Sequence, residues 1–533
     1  MILTLLCMVA VGGIGIDVVH MERDRTNIQY TLDRAVLAAA DLDQTQDATD
    51  VVLDYMDKAG LDGYHTVVPD PIQTITRRKV TGEVDAEFEP LWLKFANYTD
   101  NLPLRASATA EESIGKVEIS LVLDVSGSMG SNNRLPNLKV AAKEFVTTMN
   151  ATTEEGNMSM SIVPYSTQVT MPPEFFGYLN RSDSHEYSHC LNFDDADFDT
   201  PGLNLGQTYE QTMHFSFNYR RDYRTRSSHV ERPPCTSDDD NPERTSLLFQ
   251  SDPDTLKNYI DAFQPTDNTS IDIGMKWGTA LLDPSVQPII SGMASGEGAT
   301  IDAGFANRPV AYTDNETIKV LVLMTDGENT SQYYVNDGYR QGGSTVYYNA
   351  AEDVYSTYNP NRSGSNKYYW HNNGSWQDHA YGNGSTSEWI CTGFMYRGNC
   401  YYGSWVQQTV EEPGSATELS FTDLFADTSL QYIFYNLFAD WMGYDSARQK
   451  WYYNVYDAIG SYTKNQRTLA ICEAAKDAGI IVFTIGFEAP YNGQQILRSC
   501  ASSDAHFYDV EGLEISDAFA SIASAIRQLR LTE

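Results

Sequence analysis

The stretch Leu121-Val122-Leu123-Asp124-Val125-Ser126-Gly127-Ser128-Met129 admits few structural readings. An apolar run long enough for a buried strand stops at an acid, and two hydroxyls follow at two-residue spacing. While the backbone stays extended, alternate residues share a face, so Asp124, Ser126 and Ser128 converge just beyond the strand end. One carboxylate and two hydroxyls are hard oxygen donors. They suit Mg²⁺, Mn²⁺ or Ca²⁺ rather than Zn²⁺ or Cu²⁺. Gly127 lets the chain turn tightly between them. A polar turn after a strand would look the same, so the remaining chain must decide.

From Lys116 the chain alternates strands and helices. Strands are predicted over Val117–Leu123, Met158–Pro164, Ile480–Phe487 and His506–Val510. Helices are predicted over Leu135–Met149, Thr468–Asp477 and Leu513–Leu529. Such alternation implies an α/β fold, a doubly wound and mostly parallel sheet. Ligands of these sheets bind at the carboxyl ends of the strands. A second apolar run, Thr317–Met324, ends in Thr325-Asp326-Gly327 and brings Asp326 to the same edge. Between the two lies Asn268-Thr269-Ser270, opening a helix that runs to Leu282. Thr269 adds a further hydroxyl, and five oxygen donors leave a sixth octahedral position open.

Asp-x-Ser-x-Ser, then Thr, then Asp-Gly, in this order and context, resembles the metal-ion-dependent adhesion site of von Willebrand factor A (VWA) domains. The resemblance implies a divalent cation, Mg²⁺ first, held by Asp124, Ser126, Ser128, Thr269 and Asp326. It also implies a partner protein that offers a carboxylate to complete the shell.

Charge narrows the partners. With 36 basic against 72 acidic residues the net charge is −36, which repels phosphate backbones and argues against nucleic acid. Cys7 lies in the apolar N-terminal run, and the other six cysteines form no Cys-x-x-Cys pair. Their spacing predicts three local disulfides, Cys190–Cys235, Cys391–Cys400 and Cys472–Cys500, and hence an oxidising compartment.

Met1–Ile16 carries no charge, and adding Val18 and Val19 brings the run close to membrane-spanning length. It has no basic leader and no small-x-small cleavage site. Residues 1–19 are therefore expected to be an uncleaved transmembrane anchor. An amphipathic helix continues to about Leu42, a second helix is predicted over Thr49–Ala59, and β-rich segments surround Ile72–Ile75, Lys79–Phe88 and Leu104–Ala110. Together residues 20–115 read as a small α+β, pilin-like segment.

Residues 116–533 then form one domain with two insertions, at about 172–252 and 329–464. The first carries Asp195, Asp197 and Asp199 at calcium-loop spacing, without the Gly and Glu of an EF-hand. The second holds more than half of the 34 tyrosines. It reads either as recognition loops, which favour Tyr, Ser, Gly and Asn, or as a self-packed insert. Its segment Phe421–Trp451 is predicted helical, and the sequence leaves open whether it packs over the metal edge. The nine histidines are scattered, with no His-Glu-x-x-His, Gly-x-Ser-x-Gly or phosphate-binding loop, so no enzyme is expected.

Gly15-Ile16-Asp17, Leu32-Asp33-Arg34-Ala35-Val36-Leu37-Ala38-Ala39-Ala40, Gly115–Met129, Gly274-Met275-Lys276-Trp277-Gly278 and Ile526–Leu531 resemble TadG-like proteins of the Tad (Flp pilus) assembly system. That resemblance implies a single-pass bacterial inner-membrane protein with its bulk in the periplasm or at the cell surface. Its partner would be a pilus or Tad component, or a surface ligand. Two other functions fit the same residues: a scaffold in which the metal only stabilises the fold, and, remotely, a metal-dependent hydrolase.

Overall fold

A computed structural model describes the chain except residues 1, 42–43, 74–76, 97–100, 114, 154–155, 183–184, 217–232, 237–240, 297, 315 and 533. The chain divides into two compact units, one formed mainly by residues 1–116 and the other by 117–151 with 158–523.

In the first unit a single helix, α1 (Ile2–Ala39), is followed by α2 (Ala48–Lys58). Asp47 caps α2, its carboxylate accepting from the Thr49 N–H. Two long antiparallel strands, β1 (Arg77–Phe88) and β2 (Leu102–Ser113), pair in register, Val80 opposite Ala110 and Val84 opposite Ala106. Leu32, Val36, Val52, Val80 and Val84 make the core. Gly82 lets α1 approach the sheet, because a Cβ there would stand 2.9 Å from both Leu32 and Val36. The helix-on-strands arrangement expected for this segment is present. Of the β-rich stretch expected at 72–75, Ile72–Gln73 is a strand and residues 74–75 lie outside the described residues.

The anchor expected over residues 1–19 is not supported: among the described residues, no helix is long and apolar enough to cross a membrane. Within this run, Asp17 is held by protein. Its side chain is buried and accepts N–H bonds from Leu91, Trp92 and Leu93 at 3.2, 2.8 and 2.9 Å. Burial raises its pKa, but the three N–H donors outweigh that and hold the carboxyl below its usual range. Trp92 lies against Gly13. Protein therefore covers α1 at Gly13 and Asp17, while Ile16, Val18 and Val19 stay exposed.

The second unit is built on a six-stranded sheet of β3 (Lys116–Asp124), β4 (Met158–Tyr165), β5 (Leu247–Gln250), β6 (Thr317–Thr325), β7 (Ile481–Phe487) and β8 (Phe507–Val510). Their order across the sheet is β5-β4-β3-β6-β7-β8. The pairs β3–β4, β6–β7 and β7–β8 are parallel, and β5 joins β4 antiparallel. β3 and β6 are buried over almost their whole length, which explains their continuous apolar runs. Between and around the strands run α3 (Arg134–Ala151), α4 (Pro253–Ala262), α5 (Ile271–Ala280), α6 (Ser461–Asp477), α7 (Tyr491–Cys500) and α8 (Glu514–Thr532). α5 is wholly buried, and its glycines bring it onto the sheet. A Cβ on Gly274 would meet Tyr165, and one on Gly278 would meet Val122.

Both insertions fold. In the second, the strands Gly343–Asn349, Val354–Tyr358, Tyr368–Trp370, Ser375–Gln377 and Ala416–Ser420 form a five-stranded sheet. The segment expected to be one helix over Phe421–Trp451 is a series of short helical pieces. Its Leu424, Phe434, Phe438 and Trp451 pack with Val346 and Tyr355 of that sheet and with Met213 and Phe215 of the first insertion, not over the metal edge. Phe438 and Trp451 stack at 4.2 Å. The insertion is thus largely self-packed. In the first insertion, Asp195 pairs with Arg467 at 2.6 Å and Asp197 accepts from the Asp194 N–H, so these carboxylates serve local structure.

All three expected disulfides form, with Cα–Cα distances of 5.9 Å for Cys190–Cys235, 5.3 Å for Cys391–Cys400 and 5.0 Å for Cys472–Cys500. The last joins α6 to α7 across β7. Replacing Cys472 and Cys500 together with Ser should lower stability by about 2–4 kcal/mol, chiefly through the freed unfolded chain. Denaturant unfolding under non-reducing conditions measures it.

Candidate metal centre

The edge where β3 and β6 end holds all five oxygen donors singled out in the sequence. Asp124 is the last residue of β3 and is fully buried. The chain then leaves the sheet: the Val125 N–H donates to Tyr165 O at 2.9 Å, and Gly127–Gly130 makes a turn of 3₁₀ helix before α3. Gly127 donates its N–H to Asp267 O at 3.0 Å, and a Cβ there would stand 3.2 Å from the same oxygen. The glycine is therefore required by close backbone approach. Asp326 directly follows β6 and is buried. Thr269 is buried at the mouth of α5, beside the Asp326–Gly327 turn. Its hydroxyl lies 3.6 Å from where a Cβ on Gly327 would stand.

Asp124, Ser126, Ser128 and Asp326 form one hydrogen-bonded group, with Thr269 beside it. Ser128 donates its hydroxyl to Asp326 Oδ1 at 2.7 Å, and the Ser126 and Ser128 hydroxyls are 3.1 Å apart. Asp124 Oδ1 accepts from the Ser126 N–H at 2.7 Å, and its Oδ2 accepts from the Thr325 hydroxyl at 2.6 Å. Burial, and then the negative charge of Asp326, push the Asp124 carboxyl up to about 7. Burial raises Asp326 as well, against the opposing pull of Ser128 and Arg134. Two desolvated carboxylates beside three hydroxyls make a hard, electron-rich pocket with a deficit of positive charge. That is the chemistry a divalent cation fits. Among the described residues no group of three or more His, Cys, Asp or Glu side chains could hold a metal, so hydroxyls would have to complete the set.

Several functional neighbours escaped the sequence reading. Arg134, at the start of α3, donates to Asp326 Oδ2 at 2.8 Å and to Glu488 at 2.9 Å. It supplies one positive charge to the pair. A base six residues past Ser128 is the only local signal for it. Glu488 comes from the end of β7 and lines a cavity of about 690 Å³ with Asp509, Glu511 and Glu514. Lys464 of α6 is wholly buried. It donates to Thr269 O at 3.0 Å, to the Ser270 hydroxyl and to Thr330 O at 2.8 Å. Its only buried counter-charge nearby is Asp272, 3.7 Å away, whose two oxygens accept no hydrogen bond among the described residues. Asn329 accepts the Ile271 N–H at 2.8 Å and donates to Thr468 at 3.0 Å. Thr269 is thereby tied to both the β6 turn and α6.

Comparison with known proteins gives one family and several structures. Residues 1–42 match the family described as putative Flp pilus-assembly TadE/G-like. None of the curated proteins matches the chain. Among solved structures, the vWF domain of the type V pili tip protein Mfa5 from Porphyromonas gingivalis is 14% identical. It covers 79% of this chain and 97% of its own, with a TM-score of 0.32. The pilus adhesin SpaC from Lactobacillus rhamnosus GG is 14% identical over 87% of this chain, which spans 35% of that protein, with a TM-score of 0.29. The adhesive tip pilin GBS104 from Group B Streptococcus agalactiae is 11% identical over 77% of this chain and 100% of its own, with a TM-score of 0.29.

Removing the Lys464 charge strands Asp272 in the interior. Lys464→Ala should destabilise the fold by about 3–5 kcal/mol. Lys464→Met with Asp272→Asn should recover much of that loss, as read from denaturant midpoints around the double-mutant cycle.

Proposed function

We propose that this chain is a cell-envelope binding protein of a Tad-type pilus system, whose residues 116–533 form a VWA-type α/β domain with two insertions. Asp124, Ser126, Ser128, Thr269 and Asp326 would hold a divalent cation, Mg²⁺ first and Mn²⁺ or Ca²⁺ as alternatives. The cation would offer an open coordination position to a carboxylate of a partner protein. The observation that carries this reading is the union of Ser128 with Asp326 at 2.7 Å across two strand ends, 198 residues apart in sequence. Supporting it, the six-stranded sheet brings every donor to the carboxyl edge where such folds bind ligands.

The chain's own residues prepare the site. The Ser126 N–H and the Thr325 hydroxyl fix the Asp124 carboxylate. Lys464 and Asn329 fix the loop that carries Thr269. Arg134 keeps Asp326 oriented while sharing itself with Glu488. Binding, not turnover, suits this arrangement, since both acids are committed to hydroxyl and guanidinium partners. The TadE/G-like match over residues 1–42 supports pilus assembly or attachment as the setting. The three disulfides support a location outside the cytoplasm.

Asp124→Ala should weaken Mg²⁺ and Mn²⁺ binding by about 100-fold or more in calorimetric titration, with the far-UV spectrum kept, given the several kcal/mol carried by a charged ligand. It should also abolish attachment to the partner surface; full attachment by the folded variant refutes the proposal. If chelation with EDTA lowers the melting temperature and leaves attachment intact, the metal is a scaffold element only. Arg134→Gln should tighten Mn²⁺ binding by about tenfold, because a fixed positive charge no longer competes for Asp326. A weakened or unchanged affinity would show that the guanidinium does not compete.

A further inference from the structure

The residues from Ser385 to Glu411 form a two-stranded ribbon that no other strand joins among the described residues. Strands Ser385–Cys391 and Trp405–Glu411 pair from Ser385 opposite Glu411 to Cys391 opposite Trp405. Beyond them, Phe394–Tyr396 and Asn399–Tyr401 make a second hairpin, closed by Arg397 and Gly398, both at positive φ. The Cys391–Cys400 disulfide staples the two hairpins together. At the junction Gly393 and Gly403 touch backbone to backbone, leaving no room for a Cβ on either. No residue from 385 to 411 is buried.

Side-chain chemistry changes along the ribbon, not across it. The root is polar apart from Val410: Ser385 faces Glu411, Thr386 faces Val410, Ser387 faces Thr409 and Glu388 faces Gln408. The outer part is aromatic and apolar: Trp389 is 63% exposed, Phe394 64%, Met395 61% and Tyr402 fully exposed. Phe394 pairs with Tyr401 and so shares a face with it, while Met395, the next residue, points to the other face. Both faces of the tip are therefore apolar. A groove on another protein would cover one face; immersion from the end covers both.

We infer that this tip enters the interfacial zone of a lipid bilayer. Trp and Tyr, with apolar rings and polar ends, are the side chains that settle at that depth. The unpaired strand edges, with free N–H and C=O groups, keep the ribbon from going deeper into hydrocarbon. Charge agrees. Residues 389–405 contain a single charged side chain, Arg397, in a chain of net charge −36. A seven-residue strand sets the tip about 23 Å from the root of the ribbon, more than two Debye lengths at physiological salt, so the acidic body does not repel it from an anionic surface. The inference is independent of the metal centre.

The full chain, mixed with vesicles of phosphatidylcholine alone or with phosphatidylglycerol, provides the test. Hydrogen exchange over residues 389–405 should slow when vesicles are added, more with the anionic lipid. Phe394→Ser, Met395→Ser and Tyr402→Ser together should reduce vesicle partition by about tenfold in co-sedimentation, from the apolar area withheld. Tyr462→Ser with Tyr491→Ser, equally exposed elsewhere, should leave it unchanged. Unaltered exchange over 389–405 overturns the inference, even if the chain sediments through another segment. So does a tip whose exchange slows only with a protein partner. The wild-type exchange measurement stands whether or not the triple variant folds.

Discussion

Two carboxylates placed at the ends of adjacent strands, both removed from water, set the terms for the rest of the second unit. Left alone, Asp124 and Asp326 would repel each other and resist ionisation, as the upward shift of both shows. Around them sits a set of donors from three separate parts of the chain: the Ser126 N–H and the Ser128 hydroxyl from the turn after β3, the Thr325 hydroxyl from β6, and the Arg134 guanidinium from α3. None of these removes the deficit of positive charge, since the hydroxyls are neutral and Arg134 is divided between Asp326 and Glu488. On the proposed reading, a bound cation would supply the missing charge.

A second buried charge holds the edge together from behind. Lys464 gathers Thr269, Ser270 and Thr330 around one ammonium group, with Asp272 as its counter-charge. Burial lowers the Lys464 pKa to about 8, and Asp272 opposes that shift. Lys464 stands where the chain returns from its long second insertion. The loop that carries Thr269 is therefore seated only when that insertion has folded and α6 has docked. This couples the metal edge to a part of the chain that contributes no donor to it.

Which parts could be read in advance follows from distance along the chain. Asp124, Ser126 and Ser128 lie within one turn of each other, and the apolar runs of β3 and β6 announce the strand ends on which the two acids sit. The disulfides were legible for the same reason, each closing a local loop. Arg134, Lys464 and Glu488 were not, because their meaning depends on partners 192, 195 and 354 residues away. The contacts of the N-terminal helix were hidden for the same cause. Asp17 reads as the polar end of an apolar run until Leu91, Trp92 and Leu93 are seen to bind it. In the second insertion, tyrosines serve the sheet interior and the exposed ribbon alike, so composition could not separate Tyr355, buried in the sheet, from Tyr402 at the tip.

The acidic surface makes the two contacts of this molecule differ in kind. On the proposed reading, a net charge of −36 would draw divalent cations to the sheet edge and repel a partner that brings a carboxylate there. The cavity lined by Glu488, Asp509, Glu511 and Glu514 sharpens that repulsion beside the site. Only within about 8 Å, the screening length at physiological salt, would a bound cation's local charge dominate the field of the whole surface. Attachment through such a site would thus be short-ranged and strengthened by salt that screens the body. The aromatic ribbon works the other way. Its contact draws mainly on apolar area, depends on salt only through Arg397, and has the reach to act before the charged surfaces meet. Apolar contact on a stalk and coordination chemistry in a buried edge would let one acidic molecule make both proposed contacts.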